Sequence, residues 1–246
     1  MIEGRRYAPP APLDRLFQYE TRILTLFYGD TGSGNTTLAV HLPIAIISKE
    51  GLQDNDVFVI VDTERGVSPA RLSQILKAYG LEPREVFKHI KYYTTAQFNE
   101  QHKLITQLIP KLAKEHKWRI RLIALDSAVA IYRGIVIRTD PKFAATTIRS
   151  YTGKIDLQLQ TMIELALEHD AVATVTSWPT SVLTEAFDMP EEVPMIGGRG
   201  LGFWSKCIIE LRLQEGNRAR AIIYKHREKP RGLYVDFQFC DSGVSP

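Results

Sequence analysis

The stretch GDTGSGNTT, Gly29 to Thr37, constrains this chain more than any other. It lies between ILTLFYG (23–29), an apolar run with the β-branched and aromatic bias of a buried strand, and TTLAVHLPIAIIS, whose apolar density is helical. Placed there, it follows the outline G-x-x-x-x-G-K-S/T of a phosphate-binding loop, in which glycines let backbone N–H groups curl around an anion at a helix N-terminus. On that outline Gly29, Asp30, Thr31, Gly32, Ser33, Gly34, Asn35, Thr36 and Thr37 cradle the phosphates of ATP, and Thr36 is the hydroxyl that ligates Mg²⁺. One position departs. Asn35 stands where the outline has a lysine, the point charge that reaches the β- and γ-phosphates. A charged hydrogen bond contributes about 1.5–3 kcal/mol, so its loss predicts roughly ten- to hundredfold weaker binding. Turnover suffers further, because charge builds on the phosphates as the bond breaks.

The rest of the chain repeats the alternation. DVFVIVDT (56–63), RIRLIALDS (119–127) and AVATVTS (171–177) read as buried strands, IKYYTT as a possible further one. SPARLSQILKAYG is an amphipathic helix with Ser68 as N-cap, Pro69 at its first position and Gly80 as its stop. FNEQHKLITQLIPKLAKEH reads as a helix to about His116, and 151–169 carries a helical apolar stripe, whereas Pro43 is expected to kink or end the helix that holds it. KCIIELRL, RARAIIYKH and GLYVDFQF follow one another at the end as strands. The pattern predicts an α/β fold: a mostly parallel twisted sheet, helices on both faces, and an antiparallel C-terminal edge. Residues 1–11, with the proline-rich YAPPAP beginning at Tyr7, form an extended lead-in, and 12–246 form one core.

Composition sets few limits. Apolar residues make up 44% and charged ones 24% of 246, as in globular proteins generally, and no apolar run reaches membrane-span length. Two cysteines, Cys207 and Cys240, exclude a disulfide framework and a four-cysteine zinc site, and with no secretory signal the expected location is cytoplasmic, nucleoid-associated if DNA is bound. Charge is distributed in blocks. Arg133, Arg138, Lys142, Arg149 and Lys154 stand against the single acid Asp140, 199–231 holds nine bases and three acids, and 185–192 holds four acids and no base.

Two strand ends join the loop. VDTERG closes one strand with Asp62, Thr63 and Glu64, carboxylates expected at the crevice where open α/β sheets bind ligands. LIALDS delivers Asp126 beside the metal position.

VDTERGVSPARL resembles D-T-E-G-x-x-x-P-E-R-L, LIALDSAVAIYR resembles a second nucleotide motif followed by D-S-x-x-x-x-Y-R, and AIIYKHREKPRGLYVDFQF resembles an ending with K-H-R and P-x-G before the last strand. Through these the chain resembles the RecA/RadA recombinase ATPases, and within them the short archaeal RadB-like paralogues, from about residue 12 onward. The resemblance implies a RecA-like core, with Glu64 as the water-activating acid and Asp126 as the second acid near Mg²⁺. It implies Arg71 stacked on adenine, and Lys225 and Arg227 reaching the nucleotide of a neighbouring subunit in a homo-oligomer. It places Arg133, Arg138, Lys142 and Arg149 in the family's first DNA loop, where Tyr132, Phe143 and Tyr151 offer stacking faces to single-stranded DNA. Two further departures accompany Asn35: Ser177-Trp178 in place of Asn-Gln, and the acidic TEAFDMPEEVPM (184–195) where recombinases contact DNA. The expected function is an accessory factor in homologous recombination and DNA repair that binds ATP and single-stranded DNA and assists the main recombinase or another recombination protein. Two alternatives stay open: a protein-interaction module on a degenerate ATPase scaffold, with Phe203/Trp204 in its contact surface, and an active DNA-stimulated ATPase whose cation comes in trans.

Overall fold

The structure, a computed structural model, describes residues 4–179 and 195–246. The lead-in is not loose: β1 (Arg6–Tyr7) pairs antiparallel with β2 (Tyr19–Glu20), and Leu13, Leu16 and Phe17 between them are buried.

A nine-stranded sheet runs through the centre of the described residues. Its strands are β3 (Leu24–Gly29), β4 (Asp56–Asp62), β5 (Ile90–Thr94), β6 (Arg119–Asp126), β7 (Val172–Ser177), β8 (Ser205–Leu213), β9 (Arg218–Lys225), β10 (Tyr234–Cys240) and β11 (Gly243–Ser245). They lie in the order β11-β10-β9-β8-β3-β7-β6-β4-β5, parallel from β8 to β5 and antiparallel from β8 to β11. The expected mostly parallel sheet with an antiparallel C-terminal edge is therefore present. Alternation along β3 feeds two cores. Phe27 packs on one face with Leu38, Phe58 and Ile75, beneath α1 (Leu42–Ser48), α2 (Pro69–Ala78) and α3 (Pro83–Phe87). Leu26 and Tyr28 pack on the other with Ile105, Ile123 and Leu159, beneath α4 (Phe98–Lys103), α5 (Ile109–Glu115), α6 (Ala130–Arg138) and α7 (Pro141–His169). A short α8 (Gly198–Trp204) precedes β8. No helix of the described residues is long and apolar enough to cross a membrane.

Pro43 neither ends nor breaks its helix. A π turn, Thr37–His41, comes immediately before α1, and a second, Leu104–Leu108, stands in the same relation to Pro110 in α5. Proline supplies no N–H and its ring strikes the carbonyl four residues back, and the wider turn moves that carbonyl aside. The segment expected as a loop near 133–154 is also helical, α6 running into α7 through a tight turn. Asp140 caps α7, its Oδ1 accepting from Lys142 N at 2.9 Å, and Pro141 occupies the first position.

The N-terminal ends of the strands carry a buried ionic cluster. Asp56, at the start of β4, is fully buried and accepts hydrogen bonds from Arg119 Nη2 (2.6 Å) and Arg121 Nη1 (3.1 Å). Arg121 also donates to Glu50 Oε2 (2.6 Å) and Tyr7 OH (3.2 Å), fastening the lead-in to the sheet. Burial pushes the Asp56 carboxyl up, but the hydrogen bonds from Arg119 and Gln53 N and the charges of Arg121 and Arg119 outweigh it and hold it below its usual range.

Candidate functional site

At the opposite ends of the same strands lies a cleft of about 540 Å³. Its floor is the loop after β3. Gly34 holds φ +102, and a Cβ there would come within 2.7 Å of the Phe239 ring, so the loop tolerates no side chain at this point. Gly29, Thr31, Gly32, Gly34, Asn35, Thr36 and Thr37 line the cleft, with Glu64, Arg71 and Asp126 around them. Asp30 is exposed on the loop, and Ser33 is buried beneath it, so neither belongs to the lining.

Asp126 is the electrostatic centre. It is buried at the end of β6, its Oδ2 accepts from Thr36 Oγ1 at 2.7 Å, and its Oδ1 accepts from Thr176 Oγ1 at 2.6 Å. Burial raises its pKa to about 6; the Thr176 and Thr36 hydrogen bonds lower it, and the charges of Glu64 and Asp62 add to the rise. A hydroxyl and a carboxylate side by side are hard oxygen donors of the kind Mg²⁺ takes when phosphates supply the rest of its shell. Space is kept for such an ion. Gly66 lies against the pair, and a Cβ on it would come 3.3 Å from Thr36 Oγ1 and 3.9 Å from Asp126 Oδ2. Among the described residues no group of three or more His, Cys, Asp or Glu could hold a metal.

Asn35 does not imitate the lysine. Its Nδ2 turns back to Gly29 O (3.0 Å) and Ser33 Oγ (3.4 Å), strapping the loop to itself, and its buried Oδ1 has no partner. An acceptor in that position offers nothing to a phosphate oxygen.

The three residues that end β4 do different work. Asp62 faces away from the cleft, contrary to the expectation for a strand-end carboxylate: Oδ1 accepts from Glu64 N (3.0 Å) and Gly66 N (3.3 Å), Oδ2 from Val67 N and Tyr92 OH (3.0 Å each). Four donors satisfy it, and it shapes the turn that presents Glu64 and Gly66. Thr63 pairs with the backbone of Ser127, Oγ1 to O at 2.8 Å, joining the ends of β4 and β6. Only Glu64 reaches the cleft.

Arg71 lies at the rim. Its Nη2 donates to Cys240 O (2.6 Å) and Gly243 O (3.2 Å), and Nη1 donates to Gln74 Oε1 (2.6 Å), tying α2 to the turn between β10 and β11. That turn brings Phe239, Cys240 and Asp241 into the lining. Lys225 and Arg227 are absent from the lining: Lys225 Nζ donates to Gly202 O at 2.7 Å, and Arg227 pairs with Glu20.

The basic segment divides. Arg138, Lys142 and Arg149 are exposed on α6 and α7, as is Phe143, whereas Arg133 is half-buried with its guanidinium 5.1 Å from the centroid of the Trp178 ring. Tyr132 and Tyr151 are not stacking faces. Tyr132 is buried, and Tyr151 packs edge-on against Phe98 at 4.8 Å, because two helices rather than a loop carry them. The acidic stretch expected to oppose DNA falls almost wholly in 180–194, outside the described residues.

Three lining residues carry roles that the sequence alone did not assign. Thr176 holds Asp126, Gly66 leaves the space beside Thr36 and Asp126 open, and Trp178 donates its Nε1–H to Glu64 Oε1 at 2.7 Å. The hydroxyl residues Thr174, Thr176 and Ser177 in a buried strand were the available signal for the first. The contact between Trp178 and Glu64 spans 114 residues and left no local trace.

A parallel sheet with a glycine loop after β3, and acids at the ends of β4 and β6, is the architecture of a RecA-like P-loop protein. Residues 11–245 match the sequence model of the Rad51 family, and the chain belongs to that family. Within it the similarity is to RadB proteins. The "DNA repair and recombination protein RadB" of Methanothermobacter thermautotrophicus is 30% identical over 99% of this chain and 97% of that protein. That of Thermococcus gammatolerans is 31% identical over 90% and 89%. A crystal structure of the RadB recombinase superposes with a TM-score of 0.71 at 28% identity, covering 96% of both chains.

Proposed function

We propose that this chain is an accessory factor in DNA repair and recombination that binds a Mg²⁺–nucleotide in the cleft and a single strand along α6 and α7. The observation that carries the reading is the pair Thr36–Asp126 at 2.7 Å, with Glu64 across the same cleft and no lysine in the loop. Thr36 and Asp126 would hold the metal, the loop backbone the phosphates, and Arg71 the base. Bound Mg²⁺ supplies charge neutralisation on the phosphates. Because Asn35 donates inward, binding rests on backbone and metal, and hydrolysis is slow. The exposed Arg138, Lys142, Arg149 and Phe143 combine cations with an aromatic face, the composition of a single-strand site. An intracellular location fits this role.

ATP turnover by this chain and by Asn35→Lys, each with and without oligothymidylate, tests the reading. The expected result is a near-silent parent and a variant whose turnover is restored and stimulated by DNA. If both remain silent while neither binds ADP, the site is a structural relic. Phe203, 65% exposed with its ring edge on Trp204, favours a second reading, docking to another recombination protein. Salt separates the two, since binding through several phosphates weakens steeply as salt rises and an apolar contact does not.

A further inference from the structure

Glu64 reaches the cleft with one of its two carboxylate oxygens already engaged. Its Oε1 is taken by the indole N–H of Trp178 at 2.7 Å, a charge-assisted hydrogen bond at the short end of its range. The indole is fixed from two sides. Its backbone carbonyl accepts from Ile196 N at 2.8 Å, the neighbouring Ser177 Oγ donates to Ile196 O at 2.7 Å, and the Arg133 guanidinium lies 5.1 Å from its ring centroid. Among the described residues Arg133 has no hydrogen-bonded side-chain partner, and its Nε is buried without one. It stands in the first turn of α6, the helix that leads to the exposed bases Arg138, Lys142 and Arg149.

We infer that Trp178 and Arg133 are positioning residues that hold Glu64 out of action, and that a nucleic-acid phosphate competing for Arg133 loosens the hold. The inference rests on the proposed nucleotide and single-strand reading and adds to it a physical route between the two ligands. A half-buried guanidinium that turns out from the indole toward a phosphate exchanges a cation–π contact for a charged partner. The indole then loses one wall, its bond to Glu64 becomes one of several accessible arrangements, and the carboxylate is released from the indole within the cleft. Coupling of this kind is reciprocal, so nucleotide that engages Glu64 also alters the environment of Arg133.

The chain has three tryptophans, so incorporation of 5-fluorotryptophan gives three fluorine resonances, with Trp178 assigned from the spectrum of Trp178→Phe. Glu64→Ala should move the Trp178 resonance and leave those of Trp118 and Trp204 in place. Oligothymidylate should move it in the parent and not in Arg133→Ala, while fluorescence anisotropy shows both still binding through Arg138, Lys142 and Arg149. A Trp178 resonance indifferent to Glu64→Ala removes the latch. One that stays put while anisotropy reports bound oligothymidylate removes the route. Absence of any oligothymidylate binding removes the single-strand reading itself, and the release step with it.

A kinetic arm uses the Asn35→Lys chain, in which Trp178→Phe should raise DNA-independent kcat about tenfold with KM for ATP unchanged. A fall in kcat instead means that Trp178 supports Glu64, and the inference is overturned. Should the lysine chain turn out silent, the fluorine experiment decides alone.

Discussion

Strands β4 and β6 lie side by side with one register shift after Val57, and their two ends set up the same problem with opposite solutions. At the beginning Asp56 faces Arg119, and at the end Asp62 faces Asp126. At the first end the buried acid has two guanidiniums and the charge is matched within the chain. At the second, the buried Asp126 shares the cleft with Glu64 while Asp62 lies behind the turn, and the single cation among the described lining residues, Arg71, spends its donors on two main-chain carbonyls and Gln74. Asp62 is satisfied by four donors, which leaves Asp126 as the group whose ionisation the fold penalises. The first end is finished as structure. The second has its charge balance left open, which supports the Mg²⁺–nucleotide reading proposed above.

Removing an acid should therefore have opposite signs at the two ends. Asp56→Ala leaves Arg121, itself buried, without its closest buried partner, and stability should fall by about 3–5 kcal/mol in urea unfolding. At the other end Asp126→Asn should raise the stability of the ligand-free chain. The folded pKa of about 6 lies above the ordinary 3.8, so the contribution of Asp126 is intact below about 3.8 and is lost as pH rises through 6. The variant should gain about 2–3 kcal/mol over the parent at pH 7.5, and the gain should vanish toward pH 4. Mg·ADP should then stabilise the parent and leave the variant unmoved. If Asp126→Asn destabilises at pH 7.5, the two ends are alike and the comparison fails.

His41, under the loop, sharpens the contrast with the reverse sign. Burial, with the charge of Arg71, lowers its pKa from 6.5 to about 4, and neither ring nitrogen has a partner. Its contribution is thus intact above 6.5 and lost as pH falls toward 4, by about 3 kcal/mol. The acid limb of the stability curve should be shallower by that amount in His41→Leu.

The difference between the ends also governs what the sequence disclosed. The loop, the strand-end acids and Arg71 stand at fixed offsets from local signals, and the structure gathers them in one cleft. Asp62 and Glu64 are two residues apart on one turn, yet one folds inward and the other outward. That choice is made by the N–H groups of 64–67 and by Tyr92 on another strand, which no spacing records. Tyr132 and Tyr151 differ from the expected stacking faces because 133–154 is helical, and Asp140-Pro141 is itself an N-cap signal. The contact of Arg71 with Cys240 joins residues 169 apart, carries no local signal, and closes the cleft with a turn beyond GLYVDFQF.

Arg71 gives the finest test, because its expected role as a base contact and its observed role as a tie to the β10–β11 turn predict different losses. Arg71→Ala removes two hydrogen bonds to carbonyls and one to Gln74, and global stability should drop by about 1 kcal/mol. ADP affinity, read by calorimetry, should weaken about fivefold, whereas inorganic pyrophosphate, which has no base to stack, should bind the variant as it binds the parent. Equal losses for both ligands would instead mean that Arg71 serves the cleft only through the turn it anchors. In that case even the one cation at the open end belongs to the fold, and everything that neutralises Asp126 must come from the ligand.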